Sequence, residues 1–180
     1  MDSQEVAESQ NTAARNEISI YQQKYWKELV SLRVHLYYLE EYLIFNERCQ
    51  MAMNWIVALA SSGGIGAWVI WQKHSEIWAT IIASSQVVGA LRSHTPIDKR
   101  MKSLPRLLAA MDEIFLSAQR DWFPVSNGEL TEKEIHELVM KLKSEKSKAA
   151  REYLGQSPLP VRNKFMGRAE SNADKFFENF

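Results

Sequence analysis

The 180-residue chain carries 22 basic and 22 acidic side chains, so its formal net charge is zero. We therefore expect no nucleic-acid partner, because binding to phosphate backbones selects for an excess of basic residues. A single cysteine, Cys49, excludes an intrachain disulfide framework and a cysteine-based zinc site. A chain of this length favours one domain, or one compact unit with a tail.

The chain begins with a polar segment, residues 1–17, which lacks the apolar core of a secretory signal. From residue 18 to residue 48 apolar side chains recur at spacings of four and three, and no proline or glycine interrupts them. This spacing predicts an amphipathic helix with a heptad seam, as in a coiled coil. The seam residues are Tyr25, Leu29, Leu32, Leu36, Leu39 and Leu43.

Residues 49–93 hold two uncharged stretches and predict a two-helix transmembrane hairpin, with spans at about 51–71 and 77–93. The first stretch would rise about 31 Å as a helix, against about 30 Å for a hydrocarbon core. Basic residues flank the pair, whereas the short link holds only Lys73, so both termini are expected in the cytoplasm of a multi-pass inner-membrane protein. The alternative is a hairpin buried inside a soluble helical protein.

Small and polar residues within the hairpin suggest how its helices would pack. Small residues four apart allow close helix approach in lipid, and we assign that role to Ala58, Ser62, Gly66, Ala79 and Ala83. Polar side chains inside a membrane face other helices or a water-filled path. The candidates for interhelical hydrogen bonding or for lining an oligomeric pore are Asn54, Ser61, Thr80, Ser84 and Gln86.

Two further helices are predicted after the hairpin. A helix over residues 96–123 begins at a Thr-Pro-x-Asp start signal and carries a second heptad seam, which should pair antiparallel with the first. Pro105 lies inside this helix and is expected to kink it. A third cytoplasmic helix over residues 131–154 opens on a capping box that starts at Thr131.

The tail, residues 155–180, holds four phenylalanines among polar residues, after a link that is broken by prolines. Two interpretations stay open, disorder or a docking segment whose aromatic side chains bind a protein partner. The candidate docking residues are Phe165, Phe176, Phe177 and Phe180.

The sequence lacks the patterns that support catalysis. Its four histidines are scattered without acids or cysteine at ligand spacing, so we expect no metal site. The glycine-rich run at residues 61–66 lies within apolar sequence, where a phosphate-binding loop would be out of reach of water. We therefore predict a protein that is not an enzyme and has no cofactor.

The layout over residues 21–122 resembles the SLATT family of bacterial two-transmembrane effectors. The likeness lies in the amphipathic helix with Tyr38, Tyr42 and Arg48, the close hairpin and the long helix that follows. This resemblance implies a homo-oligomer that permeabilises the bacterial inner membrane in anti-phage defence. Two alternatives are a membrane-anchored scaffold that recruits a protein through its cytoplasmic helices and tail, and a soluble helical interaction module.

Overall fold

The computed structural model describes residues 3–62, 75–94, 97–155 and 159–178. Helices account for nearly all of them, and no strand occurs within these ranges, which confirms the predicted all-α class. The helices are α1 (Ser3–Ser62), α2 (Ser75–His94), α3 (Ile97–Ser126), α4 (Glu132–Leu154) and α5 (Asn163–Glu178).

The chain divides into two compact units. The first unit combines Met1–Glu40 with Arg106–Phe180, and the second unit is Glu41–Pro105. In the first unit the predicted seam of α1 is buried from Tyr25 to Leu39. The facing seam of α3 is buried at Met111, Phe115 and Ala118.

Within the first unit, α1 and α3 run antiparallel. The Gln22 side chain donates a 2.8 Å hydrogen bond to the carbonyl of Val125, and the Tyr25 hydroxyl donates a 2.9 Å bond to the carbonyl of Ala118. A later residue on α1 therefore meets an earlier residue on α3. This confirms the predicted antiparallel pairing of the seams for this part of the two helices.

Helix α4 packs against the same pair of helices. It opens on the predicted capping box, in which the Thr131 side chain accepts from a backbone N–H while the Glu134 carboxylate accepts from the Thr131 N–H. Its inward stripe is Ile135, Val139, Leu142 and Ala149. Lys143 and Lys146 reach Glu28 of α1, with Nζ–Oε distances of 3.1 and 3.8 Å.

The second unit has a small described core, which is formed by residues close in sequence to its two ends at Glu41 and Pro105. Tyr42, Asn46 and Leu104 are buried there. The Asn46 side chain donates a 2.6 Å bond to the Tyr42 carbonyl, and Arg100 donates a 2.8 Å bond to the Tyr42 hydroxyl. Helix α3 continues through Pro105 to Ser126, although a proline inside a helix removes one backbone hydrogen bond. The kink expected at Pro105 stays a prediction.

The predicted transmembrane hairpin and multi-pass inner-membrane localisation, with both termini in the cytoplasm, are wrong. Among the described residues, none of the helices combines the length and the apolarity that a bilayer crossing needs. The uncharged described parts, residues 49–62 of α1 and 77–91 of α2, rise only about 20 and 22 Å, against about 30 Å of hydrocarbon. Residues 63–74, which held the rest of the first predicted span, lie outside the described residues.

Candidate interaction surfaces

Helix α5 turns a narrow apolar stripe towards the first unit. Phe165, Ala169 and Ala173 are buried, and Phe176 and Phe177 are half-buried. Phe165, Ala169, Ala173 and Phe176 follow one another at spacings of four, four and three. Phe177 lies four residues after Ala173, so all five positions share one face of the helix. The remaining positions of the helix, apart from the half-buried Met166, are exposed to solvent. The tail over residues 163–178 is therefore an ordered amphipathic helix.

The surface that receives this stripe lies on α1 and α3. The ring of Phe165 lies 6.5 Å from that of Tyr38, and the ring of Phe177 lies 5.0 Å from that of Trp26, measured between centroids. These two contacts are twelve residues apart on both helices, so α5 runs antiparallel to α1 for about 18 Å. Phe115 of α3 contacts Phe176 at 5.9 Å.

The chain that leads into α5 is held by Tyr38. Its hydroxyl donates a 2.6 Å hydrogen bond to the carbonyl of Pro160 and accepts a 3.3 Å bond from the backbone N–H of Arg162. Tyr38 therefore contacts both the entry to α5 and, through its ring, the first aromatic residue of the α5 stripe. We call the set Trp26, Arg33, Tyr38 and Phe115 the α5 docking face.

Arg33 lies at the centre of this face. Its guanidinium carbon is 4.3 Å from the ring centroid of Phe176, 4.5 Å from that of Tyr37 and 5.0 Å from that of Phe115. The guanidinium donates a 3.0 Å hydrogen bond to the Tyr37 hydroxyl, while its Nε atom is buried with no hydrogen-bond acceptor among the described residues. A cation between aromatic rings is attracted by their quadrupoles, whereas a buried unpaired N–H costs free energy.

Three of the four phenylalanines proposed as docking residues thus contact the chain's own helices. Phe165, Phe176 and Phe177 pack on the α5 docking face, and Phe180 lies outside the described residues. Their binding to a separate protein stays a prediction, and it would require α5 to leave this face.

The second unit presents large apolar side chains to solvent. Trp55 is 64 % exposed and Met51 60 % exposed, both on α1, and Val87 of α2 is 57 % exposed. A protein surface seldom shows several such side chains on neighbouring turns unless something covers them. Ile44 is also exposed in this unit, and we call the six exposed large apolar residues after it the second-unit apolar residues: Met51, Trp55, Val57, Ile77, Ile82 and Val87.

The residues predicted to pack or line a hairpin are dispersed over this unit. Four of them, Ala79, Thr80, Ala83 and Ser84, line one open groove of about 600 Å³ on α2, together with Val87 and Val88. The Thr80 hydroxyl donates a 2.8 Å bond to the carbonyl of Glu76 in its own helix.

The other predicted residues lie elsewhere in the second unit. Asn54, Ala58 and Gln86 are exposed. Ser61 and Ser62 are the last two residues of α1. Gly66 lies outside the described residues. Pore lining and helix packing by these residues stay predictions.

Sequence reasoning missed the α5 docking face, although a signal for it exists. Trp26, Val30, Arg33 and Tyr37 form a second stripe at spacings of four, three and four beside the seam of α1. Such a parallel stripe indicates that a helix packs against more than one neighbour. The α5 stripe from Phe165 to Phe176 has the same helical period and could have been found in the same way.

No set of histidine, cysteine and acidic side chains in the part of the chain described here is arranged to hold a metal ion. Comparison with protein-family models, with curated protein sequences and with solved structures finds no significant match to this chain. The resemblance to the SLATT family therefore stays a prediction.

Proposed function

We propose that this protein is a helical interaction module without catalytic activity, which associates with a second copy of itself through the second-unit apolar residues. The observation that carries the proposal is the exposure of Met51 and Trp55 on α1 together with Ile82 and Val87 on α2. Burying large apolar side chains contributes about 1.5–3 kcal/mol each when the burial is complete. Several of them can therefore hold two protein surfaces together.

The chemistry of these residues favours a second copy as the partner. Residues 49–62 and 77–91 carry no charge, so they offer nothing to select a charged partner surface. A matching partner must itself present uncharged, exposed helix faces. This chain provides two such faces of similar length, about 20 and 22 Å. A two-fold dimer, in which each copy uses the same patch, is the commonest way for identical surfaces to pair.

Two methionines allow a matched test of this proposal. Met51 is 60 % exposed in the second unit, and Met140 is 53 % exposed on α4 in the first unit. Sedimentation velocity of wild type, Met51→Glu and Met140→Glu would be recorded over a range of protein concentrations. We expect wild type and Met140→Glu to associate alike, and Met51→Glu to raise the dissociation constant at least tenfold, because a carboxylate would have to be desolvated.

Circular dichroism and thermal unfolding of the three proteins would show that each keeps its helices. The proposal is overturned if wild type stays at monomer mass at all concentrations, or if Met51→Glu associates as wild type does. If the wild type stays monomeric but Met51 becomes protected when another purified protein is added, that protein is the partner and the second copy is not.

A further inference from the structure

A groove of about 360 Å³ lies on the first unit between α1 and α3. It is lined by Gln22, Gln23, Trp26 and Lys27 of α1 and by Trp122 of α3. The two indole rings lie 5.0 Å apart between centroids, and each tryptophan is half-buried, so part of this aromatic pair reaches solvent. Aromatic side chains carry a large apolar surface whose burial is favourable. The groove therefore favours an aromatic occupant.

The groove lies on the path that α5 follows along α1. Phe165 of α5 contacts Tyr38 of α1, and twelve residues later Phe177 contacts Trp26, so each step forward along α5 is one step back along α1. In this register the third residue after Phe177 is level with Gln23, which lines the groove. Gln23 precedes Trp26 by three residues, so both lie on the face of α1 that α5 contacts.

The residue at that place in the sequence is aromatic. Phe180 follows Phe176 by four residues and Phe177 by three, so it continues the period of the α5 stripe. The described helix ends at Glu178, two residues before it. From Phe177 the chain advances about 5 Å to residue 180 with a helical rise and about 10 Å when extended. The groove, whose wall Trp26 contacts Phe177, is within reach of the Phe180 ring in either case.

We propose that Phe180 of the same chain occupies this groove and packs against Trp26 and Trp122. Because it follows directly after a helix that is already docked, its effective concentration at the groove is high, and α5 keeps its place. Phe180 thus fastens the end of α5 and closes the aromatic pair to other ligands. This inference concerns the first unit and does not rest on association through the second unit.

Fluorine NMR of the full chain tests this placement. 4-Fluorophenylalanine, which differs from phenylalanine by one atom, replaces either Phe180 or, as a control, Phe123, which is 67 % exposed. A soluble gadolinium chelate then speeds the relaxation of each fluorine according to its access to solvent. We expect an enhancement at position 180 that is smaller than at position 123 by about threefold or more, because a ring packed against two indoles is shielded.

Two substitutions show whether the groove is what shields the ring. Gln23→Trp fills the groove from an exposed position, so it should raise the enhancement at position 180 to the value at position 123. Lys24→Trp adds the same side chain one residue further along, at an exposed position that does not line the groove, and should leave the shielding intact. Circular dichroism would show that both variants keep their helices.

The proposal is overturned if position 180 is as accessible as position 123, or if it stays shielded in Gln23→Trp, since the ring then lies elsewhere. Shielding that disappears on dilution would make Phe180 of a second copy the occupant and would also overturn it.

Urea unfolding gives a second measurement without a label. Phe180→Ala should raise the equilibrium constant of unfolding by about tenfold, because an apolar ring loses its burial, and Phe180→Leu should raise it less. The control Phe123→Ala should change it by no more than about twofold, as expected for an exposed position. Equal effects of the two alanine substitutions would contradict the proposal.

Discussion

Tyr25 offers a stringent test of the packing between α1 and α3. Its side chain is 1 % exposed, and its hydroxyl donates to the carbonyl of Ala118. Burial raises the pKa of this phenol well above its usual range, and the negative charges of Asp121 and Glu145 raise it further. Replacing Tyr25 with phenylalanine removes the hydroxyl and keeps the ring, so the change isolates one hydrogen bond and one titrating proton.

The expected cost at neutral pH is modest. The carbonyl of Ala118 lies inside α3, where it also accepts a helical hydrogen bond, so the substitution leaves no acceptor unpaired. The loss should then equal the net value of one hydrogen bond, about 1 kcal/mol in the free energy of unfolding. A cost above about 3 kcal/mol would mean that the substitution disturbs the packing of the ring.

The two proteins should respond differently to alkaline pH. The folded protein keeps the Tyr25 proton above the unfolded pKa of about 10, so the contribution of this group is complete below pH 10 and is lost as pH rises towards the folded pKa. The loss approaches about 1.4 kcal/mol per pH unit for one proton. Tyr25→Phe has no phenol proton at this position and does not suffer this loss. Its free energy of unfolding, about 1 kcal/mol below that of the wild type at neutral pH, should therefore equal the wild-type value near pH 11.

Urea unfolding followed by circular dichroism at a series of pH values from neutral to alkaline would measure both effects. Other tyrosines and lysines titrate in both proteins, so the informative quantity is the difference between the two free energies of unfolding. A difference that stays constant across this range would refute the placement of the Tyr25 hydroxyl in a buried, negatively charged environment.

Three further predictions, two of them with a matched control variant, test other parts of the first unit. Leu32→Ala, at a fully buried seam position, should cost about 2–5 kcal/mol in urea unfolding, whereas Leu116→Ala, at a position 54 % exposed, should stay within about 0.5 kcal/mol; equal costs would contradict the assigned burial. Thr131→Ala should cost about 1 kcal/mol through loss of the capping box, and Thr131→Ser should retain most of it in the same assay. Burial lowers the pKa of Lys146 and the carboxylate of Glu28 opposes that shift, so Glu28→Gln should lower the pKa of Lys146 further in an NMR titration; an unchanged value would show that the pair is not formed.

The heptad seams of the first unit could be predicted from the sequence because their spacing alone encodes burial. Leu29, Leu32 and Leu36 recur at the helical period, and each is almost fully buried. The start of α4 was equally accessible, since the capping box at Thr131 is defined by side chains three residues apart. Local signals of this kind need no knowledge of the partner helix.

The ordered tail could not be predicted with the same ease. Its stripe is narrow, and alanines rather than leucines occupy the two most buried positions, Ala169 and Ala173. A short helix with so little apolar surface is marginal by itself in water. Its order depends on contacts with Trp26 and Arg33 of α1 and with Phe115 of α3, all of which are distant from α5 in sequence.

The exposed residues of the second unit follow from a change in pattern along α1. Between Tyr25 and Tyr42 a seam of apolar residues recurs at the helical period on one face of this helix, and that face is buried. From Met51 to Val57 apolar residues occur on several sides of the helix, and a helix that is apolar all round needs neighbours all round. The described residues of the unit provide too few such neighbours, since Met51 and Trp55 are each more than half exposed. The loss of the seam's periodicity, more than the apolarity itself, is therefore the basis for our proposal that this part of α1 binds a second copy, and the Met51→Glu comparison tests that proposal directly.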